Sequence, residues 1–190
     1  DNCDTRLANL IWLMMGIFMG RSVQLNLVAR KVPIRAKQLS IVKRFQRFLD
    51  NWAVQVRDWY HPFAEALLQA ASVAGQVRLI IDASKVSGNH RLLMVSVAYR
   101  GRSLPLAWTW VHSKRGHSTT RKQVTLLAYV YRLLPKSVSV SLVGDCEFDS
   151  PLLIENLVFW GWVYALRQKG NYLVMSKTGQ WQRLDSFPLH

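Results

Sequence analysis

Residues 77–82 read VRLIID, and residues 137–145 read SVSVSLVGD. Both runs are rich in Val, Ile and Leu, show the alternation of a β-strand, and end on an aspartate. A strand of this kind is buried along its length, and its last residue reaches the edge of the sheet. These two stretches predict two central strands that end on Asp82 and Asp145.

The chain around these two strands predicts a mixed α/β arrangement. The runs LLMVSVAY and SLPLAWTWV follow the first strand and are separated by the short turn sequence RGR, which indicates a hairpin. Helical spacing covers residues 118–134, and a second helix opens at Ser150 and Pro151 and ends at Gly161. The run WVYALR supplies a further strand, so the order from residue 77 is β-β-β-α-β-α-β.

The first part of the chain, up to about residue 72, has a different pattern. Its apolar residues recur at helical spacing, as in LSIVKRFQRFLDN, and Pro33 separates two helices. Ser40 is an expected N-cap. This region is therefore predicted to be entirely helical.

Composition narrows the class of protein. The chain has 190 residues, 25 Lys and Arg, 11 Asp and Glu, a net charge of +14 and 50% hydrophobic residues, which excludes a disordered basic tail. Its length fits one globular domain, or one domain with a small appendage. Cys3 and Cys146 lack the spacing of a zinc site or a disulfide scaffold, so the cytoplasm is the expected compartment. The apolar run at residues 7–19 is too short to span a bilayer.

The distribution of the acids is more informative than the net charge. Nine Lys or Arg and no carboxylate lie between Asp4 and Asp50, and ten lie between Asp82 and Asp145, again with no carboxylate. An aspartate after a buried strand can simply cap the following turn. If the two strands are parallel neighbours, however, the two carboxylates would repel, and a hard divalent cation such as magnesium would relieve that repulsion. With a phosphodiester as substrate, such a site would perform metal-assisted phosphoryl transfer.

Several basic residues are candidates for contact with nucleic acid. Lys43, Arg44 and Arg47 share one side of a predicted helix, where they are either phosphate contacts or a solvated basic face. Lys85, Lys114 and His117 lie close in sequence to the predicted strand ends and are candidate phosphate neighbours, although a surface-turn role fits them as well. The stretch around Trp108 and Trp110 is a candidate for base stacking, but alternate tryptophans in a strand more often pack a core.

The order of elements, with IDASKV at the first strand end and VGDCEFDS at the fourth, resembles the ribonuclease-H-like core of DDE transposases of bacterial insertion sequences, most closely the IS-four-like family. The resemblance implies a helical DNA-binding region at 1–74, a catalytic core at 75–176 and the start of a β-rich insertion at 177–190. It assigns Asp82 and Asp145 as catalytic ligands of two magnesium or manganese ions, and it adds Arg167 and Lys169 as DNA contacts.

The same resemblance implies double-stranded DNA, both transposon ends and target, as the partner, and a homodimer on paired ends. It implies cut-and-paste transposition in the cytoplasm at the nucleoid, with no membrane and no small-molecule substrate. The family's third acid, a Glu in a Tyr/Arg/Glu/Lys signature, has no counterpart here, so the chain is expected to be a fragment without full activity. Two alternatives stay open: a non-catalytic basic nucleic-acid-binding protein, and a nuclease of the same fold.

Overall fold

A computed structural model describes residues 2–112, 117–176 and 179–187. The chain divides into two compact units, Asp1–Trp59 and Tyr60–His190. The sequence pattern changes near residue 74, just after the helix Val56–Ala71. The boundary between the units lies earlier, inside that helix.

The first unit is helical, as its apolar spacing predicted. It contains α1 (Asn2–Gly20), α2 (Leu25–Ala29), α3 (Gln38–Leu49) and the beginning of α4 (Val56–Ala71). Its core consists of eight buried side chains: Leu13, Val28, Ala29, Val32, Ile41, Val42, Phe45 and Phe48.

Two local features fix the packing of these helices. A Cβ at Gly16 would approach Val28 Cγ1 to 2.6 Å, so glycine allows α1 and α2 to pack closely. Helix α3 begins at Gln38, two residues before Ser40, so the expectation that Ser40 caps this helix is wrong. The Gln38 side chain instead donates to the Asn26 carbonyl oxygen at 3.0 Å.

The second unit is mixed α/β, and its order of elements confirms the β-β-β-α-β-α-β prediction. It contains β1 (Gln76–Ser87), β2 (His90–Tyr99), β3 (Arg102–His112), α5 (Thr120–Leu133), β4 (Ser139–Gly144), α6 (Pro151–Phe159) and β5 (Val163–Leu166). The five strands form one sheet in the order β3-β2-β1-β4-β5. The hairpins β1–β2 and β2–β3 are antiparallel, whereas β4 and β5 run parallel to β1, so the sheet is mixed.

Turn chemistry in the second unit matches the sequence. The predicted hairpin is confirmed, and its turn has two residues: Arg100 and Gly101 both have positive φ, 48° and 74°. Gly161 has φ 69°, its N–H donates to the Val158 carbonyl, and the next N–H donates to the Leu157 carbonyl. This is a Schellman cap, so Gly161 ends α6 as predicted.

The core of the second unit lies between the sheet and its helices. Val77, Leu79 and Ile81 alternate with more exposed residues along β1 and are each at most 1% exposed. Since successive strand residues point to opposite faces, this alternation puts Asp82 on the face opposite Ile81.

The last described strands form a separate small sheet. Strand β6 (Leu173–Met175) pairs antiparallel with β7 (Trp181–Arg183), and a short 3-10 helix (Leu184–Ser186) follows. The division expected between residues 176 and 177 therefore falls inside a hairpin. The described residues contain no helix long and apolar enough to cross a membrane.

Candidate functional site

The two predicted aspartates lie side by side where β4 ends. Strand β1 pairs in parallel with β4, and the register ends with Ile81 opposite Gly144. Asp145 is the first residue after β4, but β1 continues to Ser87, paired with β2, so the expectation that the first strand ends on Asp82 is wrong. Both acids are exposed, and since neighbouring strands are about 4.8 Å apart, they occupy adjacent positions across the two strands.

Gly144 permits this close arrangement. A Cβ at this position would lie 2.8 Å from Ile81 Cγ2 and 3.0 Å from both Leu166 Cδ2 and Phe148 Cδ2. Real side-chain atoms do not approach so closely in a packed interior. The glycine before Asp145 is therefore needed for β4 to sit between β1 and β5 above the core.

Each aspartate has one oxygen held by a local hydrogen bond. Asp145 Oδ1 accepts from the Glu147 N–H at 2.9 Å, and the Asp145 carbonyl accepts from the Phe148 N–H at 3.2 Å, which forms a turn. Asp82 Oδ2 accepts from Ser84 Oγ at 3.0 Å. A carboxylate offers about four lone-pair sites, so these bonds orient the acids and still leave acceptor capacity for a cation.

Arg167 continues the row of residues across the sheet. Gly144 pairs with Leu166 in β5, and the Arg167 N–H donates to the Gly144 carbonyl at 3.0 Å. Asp82 within β1, Asp145 just after β4 and Arg167 just after β5 thus lie in one row across the sheet. Two carboxylates about 5 Å apart repel by about 1 to 3 kcal/mol between the dielectric of water and that of a protein surface. A cation bound between the two carboxylates would relieve that repulsion.

The described residues contain no cluster of three or more His, Cys, Asp or Glu able to hold a metal ion. Two exposed carboxylates in adjacent positions do fit magnesium, which binds through one or two carboxylates and otherwise through water and phosphate oxygens. The site therefore suits a hard divalent ion that is shared with a phosphate ligand.

Glu147 is a residue whose importance the sequence did not indicate. Its carboxylate, with a side chain only 7% exposed, accepts from the Ser118 N–H and the Ser118 Oγ at 2.6 Å each and from Arg91 Nη1 at 3.2 Å. The Gln123 amide also donates to the Glu147 carbonyl at 3.4 Å and to Ser118 Oγ at 2.9 Å. We call these residues, Arg91, Ser118, Gln123 and Glu147, the Glu147 network.

This network joins the Asp145 turn to β2 and to the start of α5. It also faces His117, whose Nδ1 lies 3.7 Å from Glu147 Oε2 while the imidazole stays 69% exposed. The structure thus places His117 close to the Asp145 turn, as the sequence suggested. Lys114, the other candidate in this loop, lies outside the described residues.

The third acid of the DCEFD segment also has a partner. Asp149 accepts a short hydrogen bond from the Tyr172 hydroxyl, and this bond raises the pKa of the Tyr172 phenol. Asp145 is thus the acid of this segment that lies exposed at the strand end, while Glu147 and Asp149 serve the surrounding structure.

Lys85 and Lys169 are the remaining basic candidates of this unit. Lys85 lies three residues after Asp82 in β1, so its side chain points to the opposite face of the sheet. Lys169 is exposed, with its ammonium 5.9 Å from the centroid of the Tyr172 ring. Of the basic residues in this unit, Arg167 is the one that the register sets next to Asp145.

The first unit has its own basic site. Arg44 donates from Nε to Asn9 Oδ1 at 2.5 Å, and Arg47 donates from Nε to the Lys43 carbonyl at 3.4 Å. Arg44 and Arg47 line a cavity of about 350 Å³. The remaining lining residues are Thr5, Arg6, Asn9, Phe48 and Asn51.

Three arginines, Arg6, Arg44 and Arg47, therefore border one cavity. The sequence predicted two of them from their spacing on α3 but missed Arg6, which comes from α1. Lys43, the third candidate on α3, is exposed.

Comparison of the chain with models of known protein families and with curated proteins finds no match. The assignment of function therefore rests on the residues and geometry described above.

Proposed function

We propose that the chain carries the DNA-binding helices and two of the metal ligands of a DDE transposase, which cleaves and joins DNA strands by metal-dependent phosphoryl transfer. One observation carries the proposal: the parallel register of Ile81 with Gly144 sets Asp82 and Asp145 next to each other where β4 ends. The ribonuclease-H-like fold and the IS-four-like family are part of the proposal, supported by the order of elements.

In this proposal, Asp82 and Asp145 hold the divalent ions, magnesium or manganese. When bound, such ions supply Lewis acidity toward the scissile phosphate and the attacking oxygen. The Ser84 hydroxyl and the Glu147 N–H keep the two carboxylates oriented. Arg167 binds a non-bridging phosphate oxygen, because a guanidinium donates paired hydrogen bonds to such groups.

The partner in this proposal is double-stranded DNA. The charge of +14 attracts a polyanion, and Lys43, Arg44 and Arg47 of α3 supply phosphate contacts in the first unit. Two copies would act on paired transposon ends at the nucleoid. Because the family's third acid has no counterpart here, metal binding tests the proposal better than catalytic turnover of DNA does.

A second function is favoured by one observation. Asp145 caps its own turn through the Glu147 N–H, as a purely structural aspartate would. A non-catalytic nucleic-acid-binding protein would need no more than that. A nuclease of the same fold would use the same two acids and differ in failing to join strands, which a strand-transfer assay measures.

Calorimetric titration of the chain with magnesium and with manganese tests the proposal. We expect saturable binding that Asp82→Asn and Asp145→Asn each abolish and that Asp50→Asn, an exposed acid at the end of α3, leaves unchanged. If binding is absent, or if it survives both substitutions, the two aspartates are structural turn caps and not metal ligands.

A further inference from the structure

A second cavity lies where β1 and β3 end and β2 begins. Its volume is about 550 Å³, within the usual range of small-ligand pockets. It is lined by Val86, Ser87, His90, Trp110, His112 and Lys122. None of these residues belongs to the row of Asp82, Asp145 and Arg167 or to the first unit.

Trp110 is the dominant side chain of this cavity. It is 56% exposed, although it belongs to a strand of the central sheet. Trp108, two residues earlier, is half-buried and packs edge-on against Tyr60 with ring centroids 4.9 Å apart. Trp108 therefore has the core role that alternate tryptophans commonly have, whereas the Trp110 indole offers a face to a ligand.

The polar groups around Trp110 can all donate hydrogen bonds. Lys122 Nζ donates to the Trp110 carbonyl at 2.9 Å, which holds the ammonium beside the indole. His90 and His112 are register partners in β2 and β3, with ring centroids 4.8 Å apart. The residues that line the cavity include no carboxylate. An aromatic surface next to a cation and two imidazoles suits a ligand with a flat ring and a phosphate.

The Trp110 side chain lies on the same face of the sheet as Asp82. Trp110 pairs with Leu92, and Leu92 pairs with Ser84, two residues after Asp82. Since paired residues in antiparallel strands point to one face, Asp82 and Trp110 share it. Two strands across and two residues along amount to about 12 Å, which is three to four nucleotides along one strand of B-form DNA.

We propose that this cavity binds one unpaired nucleotide of a DNA strand that crosses the sheet, with its base stacked on Trp110 and its phosphate at Lys122. Stacking on an aromatic side chain is tolerant of base identity and suits a single strand. The inference rests on the proposed function only in taking DNA as the partner, and it does not depend on metal at Asp82 and Asp145.

Fluorescence anisotropy of labelled DNA tests the proposal with the full chain in EDTA. The probes are a blunt duplex and the same duplex with a short single-stranded thymidine extension. We expect tighter binding of the extended duplex, and Trp110→Ala should weaken that binding about 5- to 100-fold while leaving the blunt duplex unaffected. Trp110→Phe should retain most of the preference, and Trp181→Ala, another exposed tryptophan, should retain all of it.

The substitution Lys122→Gln tests the phosphate contact separately from base stacking. It should reduce the slope of log affinity against log salt for the extended duplex by about 0.7. Equal affinity for the two probes, or a preference that survives Trp110→Ala, would overturn the proposal. Because metal is omitted, either result is independent of the titration that tests the two aspartates.

Discussion

Removal of the Glu147 carboxylate should strongly destabilise the second unit. This side chain is 7% exposed and accepts hydrogen bonds from Arg91, from the Ser118 N–H and from the Ser118 hydroxyl. Loss of one partner of a buried ion pair costs 3–5 kcal/mol. Arg91 retains 27% exposure, so water will solvate part of the charge that is left, and we expect Glu147→Ala to cost about 3 kcal/mol.

Glu147→Gln should cost less, about 1 to 2 kcal/mol, because it keeps the shape and loses the charge that strengthens each bond. The amide oxygen can take the place of Oε1 and accept from Ser118, which leaves the amide nitrogen facing Arg91 Nη1. The free energy of unfolding of each variant, from urea denaturation followed by circular dichroism, measures these costs. Glu155→Ala, an exposed acid on α6, serves as the control and should stay within about 0.5 kcal/mol of the wild type.

A double-mutant cycle between Arg91→Ala and Glu147→Ala then isolates the pair itself. Residues in one ion-pair network couple by about 0.5–3 kcal/mol, and we expect at least 1 kcal/mol here. If Glu147→Ala lies within 0.5 kcal/mol of the wild type, or if the two substitutions are additive, the Glu147 network does not hold the Asp145 turn.

Three further predictions concern other parts of the molecule. Gly144→Ala should cost about 1–3 kcal/mol in the same urea assay, because its Cβ would lie 2.8 Å from Ile81 Cγ2. The hydrogen bond to Asp149 raises the pKa of Tyr172 in the folded chain, so the neutral phenol stabilises the fold below the ordinary tyrosine pKa of about 10. The stability advantage of wild type over Tyr172→Phe should therefore shrink as the pH rises above about 10. Arg47→Ala should lower the slope of log affinity against log salt for duplex DNA by about 0.9.

Each of these has an outcome that would contradict it. Unchanged stability of Gly144→Ala would mean that β4 can move away from β1 at no cost. An advantage over Tyr172→Phe that stays constant with pH would remove the link to Asp149. A salt slope for Arg47→Ala that matches that of Arg35→Ala, an exposed arginine outside the cavity of the first unit, would exclude a phosphate contact there.

Patterns that are local in sequence predicted the elements well. The alternation of Val77, Leu79 and Ile81 is set by the two-residue repeat of a strand, and it identified β1. Gly161 ended α6 as predicted, because a left-handed residue after a helix favours glycine. Ser40 failed as an N-cap because α3 already begins at Gln38, whose side chain reaches another part of the first unit.

Contacts between distant residues were harder to predict. No sequence pattern marked Glu147, because its partners Arg91 and Ser118 are 56 and 29 residues away in the chain. Arg6 joins the basic site of the first unit only through the packing of α1 with α3, which no spacing rule contains. The face on which Lys85 lies could have been predicted, since an odd separation from Asp82 in one strand means opposite sides.

The central claim is that Asp82 and Asp145 share one divalent cation. An anomalous difference map from crystals of the chain grown with manganese tests it directly. The account predicts a peak between Asp82 of β1 and Asp145 at the end of β4, within about 2.0–2.3 Å of one oxygen from each carboxylate, the range for hard octahedral cations. A peak bound to only one of the two aspartates, or none beside them, would contradict the account.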